Sequence, residues 1–165
     1  ESRGKRSRAY IDALVNLGMH YNRTERFRDA SRVLQQALSL ADSGVLKPTP
    51  PQNRVPERVV EIKGNQNDGV VGAQVIRQSL PYEEVMEGLL PQLITAEIGA
   101  NQLMAAETHV KRLIKLAGTN PVTSKLNLMS AYTSYAQILR KLHRHKEADA
   151  YQRKADDINR SFIPM

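Results

Sequence analysis

The sequence of 165 residues contains no cysteine and no tryptophan, and its phenylalanines are Phe27 and Phe162 alone. The absence of cysteine excludes disulfides, zinc–thiolate sites and thiol-based catalysis. Because so few aromatic side chains could stack on bases, the composition argues against a platform for single-stranded nucleic acid. No apolar run approaches the roughly 20 residues that cross a bilayer, and no signal-peptide pattern stands at the start, so no membrane span is predicted.

The charge balance is positive, with 24 Lys and Arg against 17 Asp and Glu and a net charge of +7. Such an excess favours acidic partners, nucleic acid or anionic surfaces in a general way. Part of it is local, because four basic residues stand among the first eight, which predicts a solvated basic tail over 1–8. No basic stretch is interleaved with stacking aromatics, so nucleic acid is the weaker of these alternatives.

The sequence offers no arrangement of residues that predicts an enzyme. It contains no Ser/His/Asp order, no glycine-rich nucleotide loop and no pair of carboxylates in an apolar setting. His143 and His145 flank Arg144 near two carboxylates, but no third ligand stands at a spacing that suits a metal. We interpret these histidines as solvated residues, and we predict no catalytic residue, no metal site and no cofactor.

Three stretches of the chain follow one pattern in a single register. In each, large apolar residues recur at helical spacing and small residues stand where two helices must touch, which predicts a reused helical hairpin. The first copy contains Leu14, Leu17, Gly18, Tyr21, Phe27, Ala30, Leu34 and Ala37. The second contains Leu90, Leu93, Ile94, Glu97, Leu103, Ala106, Val110 and Leu113. The third contains Tyr132, Tyr135, Ala136, Leu139, His145, Ala148, Gln152 and Ala155.

An inserted segment separates the first two copies. Matching alanines are 76 residues apart between the first and second copies and 42 apart between the second and third, and the excess of 34 equals the length of Lys47–Leu80. Prolines in this segment forbid a regular helix. β-Branched residues over Glu57–Lys63 and Val70–Arg77 flank a turn that ends in Asp-Gly, which predicts a β-hairpin. The alternative is a loop without regular structure, because a lone hairpin is only marginally stable.

We therefore predict an all-α fold, an α-solenoid of three helical hairpins with a small β-hairpin or loop insertion between the first two. The predicted parts are the basic tail 1–8, repeat one over 9–44, the insert 45–80, repeat two over 81–118, repeat three over 119–160 and a tail over 161–165. Gly44 and Gly118 stand where helices should end. Pro91 lies inside the third predicted helix, which should kink there or begin afresh.

The repeated pattern resembles the tetratricopeptide repeat family. Leu17-Gly18 followed by Tyr21, and the later Ala30, match the family pattern closely in the first copy. The third copy matches well with an alanine in place of glycine, and the second is degenerate, with isoleucine at the small position and Glu97 at the aromatic one. The 42-residue spacing resembles the kinesin light chain type. The resemblance implies a non-enzymatic module, an adaptor or scaffold that binds other proteins.

The resemblance also implies a binding groove, because the first helix of each hairpin lines the concave side of such a solenoid. An Asn at the sixth position of the pattern often bonds the backbone of a bound peptide, which suits a carboxamide because it both donates and accepts. Asn16, Gln92 and Ser134 occupy that position here. The full predicted groove comprises Asn16, Met19, Asn22, Gln92, Thr95, Ser134, Gln137, Arg140 and Lys141.

The chemistry of the predicted groove favours an extended protein segment of acidic character, because Arg140 and Lys141 end the row of polar residues. The Lys/Asn set with which some family members grip a C-terminal carboxylate is absent, since Asp12, Val15 and Met19 stand in those places. Another interpretation is that these are ordinary polar residues on solvated helices. A basic module on nucleic acid or an anionic surface is the alternative function.

The two ends of the array differ. The first helix is apolar almost all the way round, which predicts upstream repeats or a neighbouring subunit, as in a larger assembly or a homo-oligomer. The last helix has only a thin apolar stripe, which is typical of a terminal repeat. The first residue is Glu1 rather than methionine. The resemblance implies a cytoplasmic protein, and the sequence itself leaves export open.

Overall fold

A computed structural model describes residues 8–46, 58–60, 74–76, 81–117 and 124–162. Six α-helices make up most of these ranges: α1 (Arg8–Arg23), α2 (Phe27–Leu40), α3 (Pro81–Gly99), α4 (Leu103–Ala117), α5 (Ser124–Lys141) and α6 (His145–Arg160). A short π-helical turn, Ala41–Val45, follows α2 and contains Gly44 in the left-handed conformation. None of the helices in the described ranges combines the length and apolarity that crossing a bilayer requires.

The helices stack in chain order as three pairs. α1 packs on α2, α3 on α4 and α5 on α6, and the second helix of each pair also packs on the first helix of the next. Such nearest-neighbour packing is the arrangement of an α-solenoid. The predictions of an all-α fold and a stack of helical hairpins are therefore confirmed.

The three turns within the pairs have the same geometry. Glu25, Asn101 and His143 each adopt a left-handed backbone conformation, with φ of 57°, 61° and 59°. In each turn the next residue donates its N–H to a carbonyl five residues back: Arg26 to Tyr21 at 2.9 Å, Gln102 to Glu97 at 2.7 Å and Arg144 to Leu139 at 2.9 Å. These residues are spaced by 76 and 42 positions, so the structure repeats in the register that the sequence pattern shows.

Small residues lie where helices approach most closely. A Cβ added at Gly18 would overlap the side chain of Leu34, which brings α1 against α2 within the first pair. A Cβ added at Gly99 would overlap the ring of Phe27, which brings the end of α3 against the first pair. Ala30, the small residue opposite Gly18 in the pattern, is fully buried.

The hydrophobic core runs through all three pairs without interruption. α3 contributes most to it, and its fully buried side chains include Leu89, Leu90 and Leu93. These residues surround Pro91, where we predicted a kink or a new start. No new helix begins there, because α3 runs from Pro81 to Gly99, and the kink stays a prediction. Burial of the flanking leucines offsets the hydrogen bond that the proline removes.

The predicted β-hairpin insertion is wrong as a part of the fold. The sequence predicted strands over Glu57–Lys63 and Val70–Arg77, whereas the described architecture is built from six helices. In the insert the structure describes only two three-residue segments, β1 (Arg58–Val60) and β2 (Gln74–Ile76), which pair antiparallel. An isolated two-stranded hairpin is only marginally stable in water. The turn between these segments, the predicted helix stop at 118 and residues 1–7 of the basic tail lie outside the described residues.

Candidate protein-binding groove

The predicted groove residues lie on three neighbouring helices. Because α1 contacts α3 and α3 contacts α5, the first helices of the three pairs form one side of the stack. Five of the predicted residues are exposed, namely Asn16, Thr95, Gln137, Arg140 and Lys141. The other four are half-buried, namely Met19, Asn22, Gln92 and Ser134.

The structure brings Asn22 of α1 and Gln92 of α3 into direct contact. The Nδ2 group of Asn22 donates to the backbone carbonyl of Gln92 at 2.9 Å and to its Oε1 atom at 3.3 Å. The Oδ1 atom of Asn22 is buried, and no described residue donates a hydrogen bond to it. Leaving a buried acceptor unpaired costs about 1–3 kcal/mol. This amide pair therefore fixes α1 against α3 along the groove and leaves one acceptor unused.

The α5 part of the groove carries the positive charge. Arg140 lies 3.8 Å from Asp149 of α6, measured between Nη2 and Oδ1, and both side chains are about half exposed or more. An exposed pair at that distance stabilises the fold by less than about 1 kcal/mol and leaves Arg140 available to a partner. Lys141, which ends α5, is exposed beside it.

Thr95 is the groove residue whose hydroxyl hydrogen is already committed. Its Oγ1 donates to the carbonyl of Pro91, one turn earlier in α3, at 3.0 Å. Thr133 of α5 bonds its own helix in the same way, donating to Met129 at 2.9 Å. Thr95 can therefore accept a hydrogen bond from a ligand but has no free hydroxyl proton to donate.

The structure does not bring the two ends of the predicted groove together. Asn16 lies on α1 and Arg140 on α5, and α3 separates these helices within the stack. A ligand that touches both must extend across all three first helices. An extended segment fits this geometry, because about 3.3 Å per residue lets a short peptide cover the width of three helices.

Sequence reasoning missed a polar network at the junction between the first two pairs. Glu97 of α3 is fully buried, and its carboxylate lies 2.9 Å from Nδ1 of His109 and accepts a hydrogen bond from Gln35 at 3.3 Å. Beside them, the hydroxyl of Ser31 donates to Oε1 of Gln102 at 2.7 Å. The one available signal was the presence of Glu97 where the family pattern has an aromatic residue.

A second missed cluster joins the last two pairs. Oε1 of Glu107 accepts hydrogen bonds from Tyr135 at 3.0 Å, from Lys111 at 2.8 Å and from Arg144 at 2.8 Å. The guanidinium of Arg144 also binds Glu147 in the first turn of α6 at 2.6 Å. The hydrogen bond from Lys111 lowers the pKa of Glu107 to about 2; burial opposes the shift, and the bonds from Arg144 and Tyr135 add to it.

A third cluster fixes the end of the first pair to the second pair. Arg112 of α4 binds both carboxylate oxygens of Asp42, at 2.9 and 2.5 Å, and Tyr82 of α3 donates to the same carboxylate at 2.9 Å. The hydrogen bond from Arg112 holds the pKa of Asp42 below its ordinary value. Bidentate pairing of this kind fixes geometry as well as adding energy.

Comparison with protein families matches residues 130–162, which contain most of α5 and all of α6, to the tetratricopeptide repeat. The match confirms the resemblance that the residues of the third copy predicted. It does not test the kinesin light chain type of spacing, which stays a prediction. Neither the comparison with curated proteins nor that with solved structures gives a match.

Proposed function

Because the chain carries a tetratricopeptide repeat at residues 130–162, we propose that it is an adaptor that binds an extended peptide or a helix in the groove along α1, α3 and α5 and so helps to assemble a larger complex. Tetratricopeptide repeats are protein–protein interaction modules and are typically non-enzymatic. The partner is accordingly a protein, and we assign no catalytic residue, metal or cofactor.

The observation that carries this proposal is the continuity of polar residues across three neighbouring helices. Asn16, Gln92 and Ser134 take matching places on α1, α3 and α5, and the amide pair of Asn22 and Gln92 connects the first two helices. Carboxamides and hydroxyls both donate and accept, so such a row can bond the alternating N–H and C=O groups of an extended backbone.

The charge of the groove selects among peptides. Arg140 and Lys141 are exposed at the α5 end, whereas the α1 end offers Asn16 and the thioether of Met19. We propose that the bound segment places acidic residues against α5 and uncharged residues against α1. Exposed charges act mainly on association rate and salt dependence, so affinity should weaken moderately as ionic strength rises.

The test uses heptapeptides selected from a random library for binding to the intact chain. The double variant Asn16→Ala with Arg140→Ala removes one groove contact at each end and should weaken binding of the selected peptides at least ten-fold in calorimetric titrations. The matched control, Asn159→Ala with Arg153→Ala, removes the same two residue types from exposed positions of α6 and should leave affinity unchanged. Equal affinities for the two variants would place the binding site elsewhere on the molecule.

A further inference from the structure

The two junctions between helix pairs share one contact. In the first, the residue after the turn of the second pair, Gln102, bonds Ser31 of α2 at 2.7 Å. In the second, the matching residue Arg144 bonds Glu107 of α4 at 2.8 Å. Ser31 and Glu107 are themselves in matching places, 76 residues apart. The residue after each turn therefore reaches back to a fixed place on the second helix of the preceding pair.

Arg26 occupies that same place in the first pair, and it contacts one carboxylate where Arg144 contacts two. Arg144 binds Glu147, three residues ahead in α6, and Glu107 of the preceding pair. Arg26 holds Asp29, also three residues ahead, at 2.7 and 3.0 Å. In the described ranges no helix pair precedes α1, so the second acidic contact has no counterpart.

The surface of α1 next to Arg26 is likewise not covered by a helix of the described residues. On α3 and α5, the residues that face the preceding pair in the shared register are buried. They are Leu89, Leu93 and Ala96 on α3, and Ala131, Tyr135 and Ile138 on α5. Their counterparts on α1, Ala13, Leu17 and His20, are exposed. Leu17 has 40% of its surface exposed, whereas Leu93 in the matching place has none.

We propose that this surface, the open face formed by Ala13, Leu17, His20 and Arg26, docks an amphipathic helix of a partner protein in the way that α5 receives α4. The helix has an acidic residue that meets Arg26, as Glu107 meets Arg144. Seven residues later it has an aliphatic residue for Leu17, in the sequence register of Leu38 on α2 and Ile114 on α4, both of which pack in the hydrophobic core. The open face is separate from the groove and does not depend on it.

A second copy of this chain does not supply that helix. α6 is the helix that a head-to-tail neighbour would present, and its Asp149 stands in the place of Glu107. However, Asp156 stands where the aliphatic residue belongs. Packing this carboxylate against Leu17 would bury a charge whose partner in α6 is only the neutral amide of Gln152, at 3.0 Å, which is unfavourable. The charge complementarity at Arg26 and the apolar requirement at Leu17 together specify a helix that differs from α6.

The probe is a synthetic peptide with the sequence of α4, residues 103–117, which has the acidic and aliphatic residues at the required spacing. Added to the isotope-labelled intact chain, it should produce saturable chemical-shift changes at the backbone amides of the open face. Leu17→Asp should weaken this binding at least ten-fold. Leu17 is exposed, so circular dichroism should confirm that the variant stays folded.

A charge reversal tests the acidic contact itself. Arg26→Glu should weaken binding of the peptide at least ten-fold, and a peptide carrying Glu107→Arg should restore binding to that variant. Arg28→Glu, an exposed control two residues away, should bind the original peptide normally. The groove variant Asn16→Ala with Arg140→Ala should also bind it normally, which keeps this test independent of the proposed function.

Three outcomes would overturn the proposal. The first is the absence of saturable shift changes on the open face, including the case in which the chain's own segments already cover it. The second is failure of the reversed peptide to restore binding to Arg26→Glu. The third is concentration-dependent dimerisation of the intact chain that Leu17→Asp abolishes, because the occupant would then be a second copy.

Discussion

At the scale of single residues, the carboxylate of Glu97 contacts protein side chains rather than solvent. It is fully buried in α3 and shares its carboxylate with His109 and Gln35. These contacts join α2, α3 and α4, so one side chain connects the first pair of helices to the second. A buried polar group of this kind stabilises a fold only while every partner is present.

Replacing Glu97 by alanine should therefore lower the free energy of unfolding. The substitution removes the acceptor shared by the half-buried His109 and by Gln35, and losing the hydrogen-bond partners of a buried polar network costs about 1–3 kcal/mol. Urea unfolding followed by circular dichroism measures the loss. The control is Asp157→Ala, whose ion pair with Arg160 is about 70% exposed on both sides and should contribute less than about 1 kcal/mol. Similar losses for the two variants would mean that the buried network is not what joins the pairs.

Glu107 makes the free energy of unfolding depend on pH in the acidic range. Its pKa is about 2 in the folded protein, below the ordinary 4.5, so it stabilises the fold above about pH 4.5 and loses that contribution as pH falls toward 2. A shift of this size corresponds to roughly 3 kcal/mol. Glu107→Gln should lower the free energy of unfolding at pH 7 and should flatten its decline between pH 4.5 and pH 2.5. Parallel declines in the variant and the parent would contradict this assignment.

Substituting glycine for the left-handed residues in the turns should stabilise the fold. Glu25 and His143 have φ of 57° and 59°, a conformation that costs residues with a Cβ about 1–2 kcal/mol relative to glycine. Glu25→Gly and His143→Gly should each raise the free energy of unfolding by roughly 0.5–1 kcal/mol. Thr24→Gly, one residue earlier, should lower it, because glycine gains nothing there and the hydroxyl bond to His20 is lost. Destabilisation by all three glycines would argue against the turn geometry.

At the scale of elements, close helix contacts explain why glycine is tolerated in one place and required in another. Gly18 lies against Leu34, and Gly88 of α3 has open space around it. Gly18→Ala should destabilise the chain by about 1–3 kcal/mol through overpacking. Gly88→Ala should stabilise it by about 0.5–1 kcal/mol, because alanine is the better helix former. Thermal unfolding of the two variants should shift in opposite directions, and shifts of the same sign would contradict the packing described here.

Local patterns in the sequence were sufficient to predict the helix pairs. Leu17-Gly18, Tyr21 and Ala30 specify spacing along one hairpin, and the shared register of three copies fixed where the turns lie. The two networks at the junctions could not be predicted in the same way. Glu97 meets Gln35 across 62 positions and Arg144 meets Glu107 across 37, and such distances become visible only when the pairs are stacked.

The β-hairpin shows where local propensity misleads. β-Branched residues and an Asp-Gly turn do favour strands, but a strand is stable only when another surface covers it. The groove residues illustrate a different limit. Asn16 and Arg140 can be assigned to one side of a stack from register alone, whereas the bond between Asn22 and Gln92 depends on how α1 and α3 pack.

At the scale of the whole molecule, the described part of the chain is a row of three helical hairpins, on which we propose two distinct binding surfaces. The proposed groove crosses all three first helices and ends in Arg140 and Lys141, whereas the proposed open face lies at one end of the row and centres on Leu17 and Arg26. A module with two such surfaces can hold two proteins at once. That capacity is the physical basis of the adaptor function proposed for this chain.

The most direct test of the central claim is photo-crosslinking from single positions of the intact chain. A photoreactive amino acid at Gln137 lies in the groove, and one at Asn159 lies on α6 outside it; both positions are exposed. With a library-selected peptide bound, the account predicts a covalent adduct from position 137 and none from position 159. An adduct from position 159 alone, or equal adducts from both positions, would contradict binding in the groove.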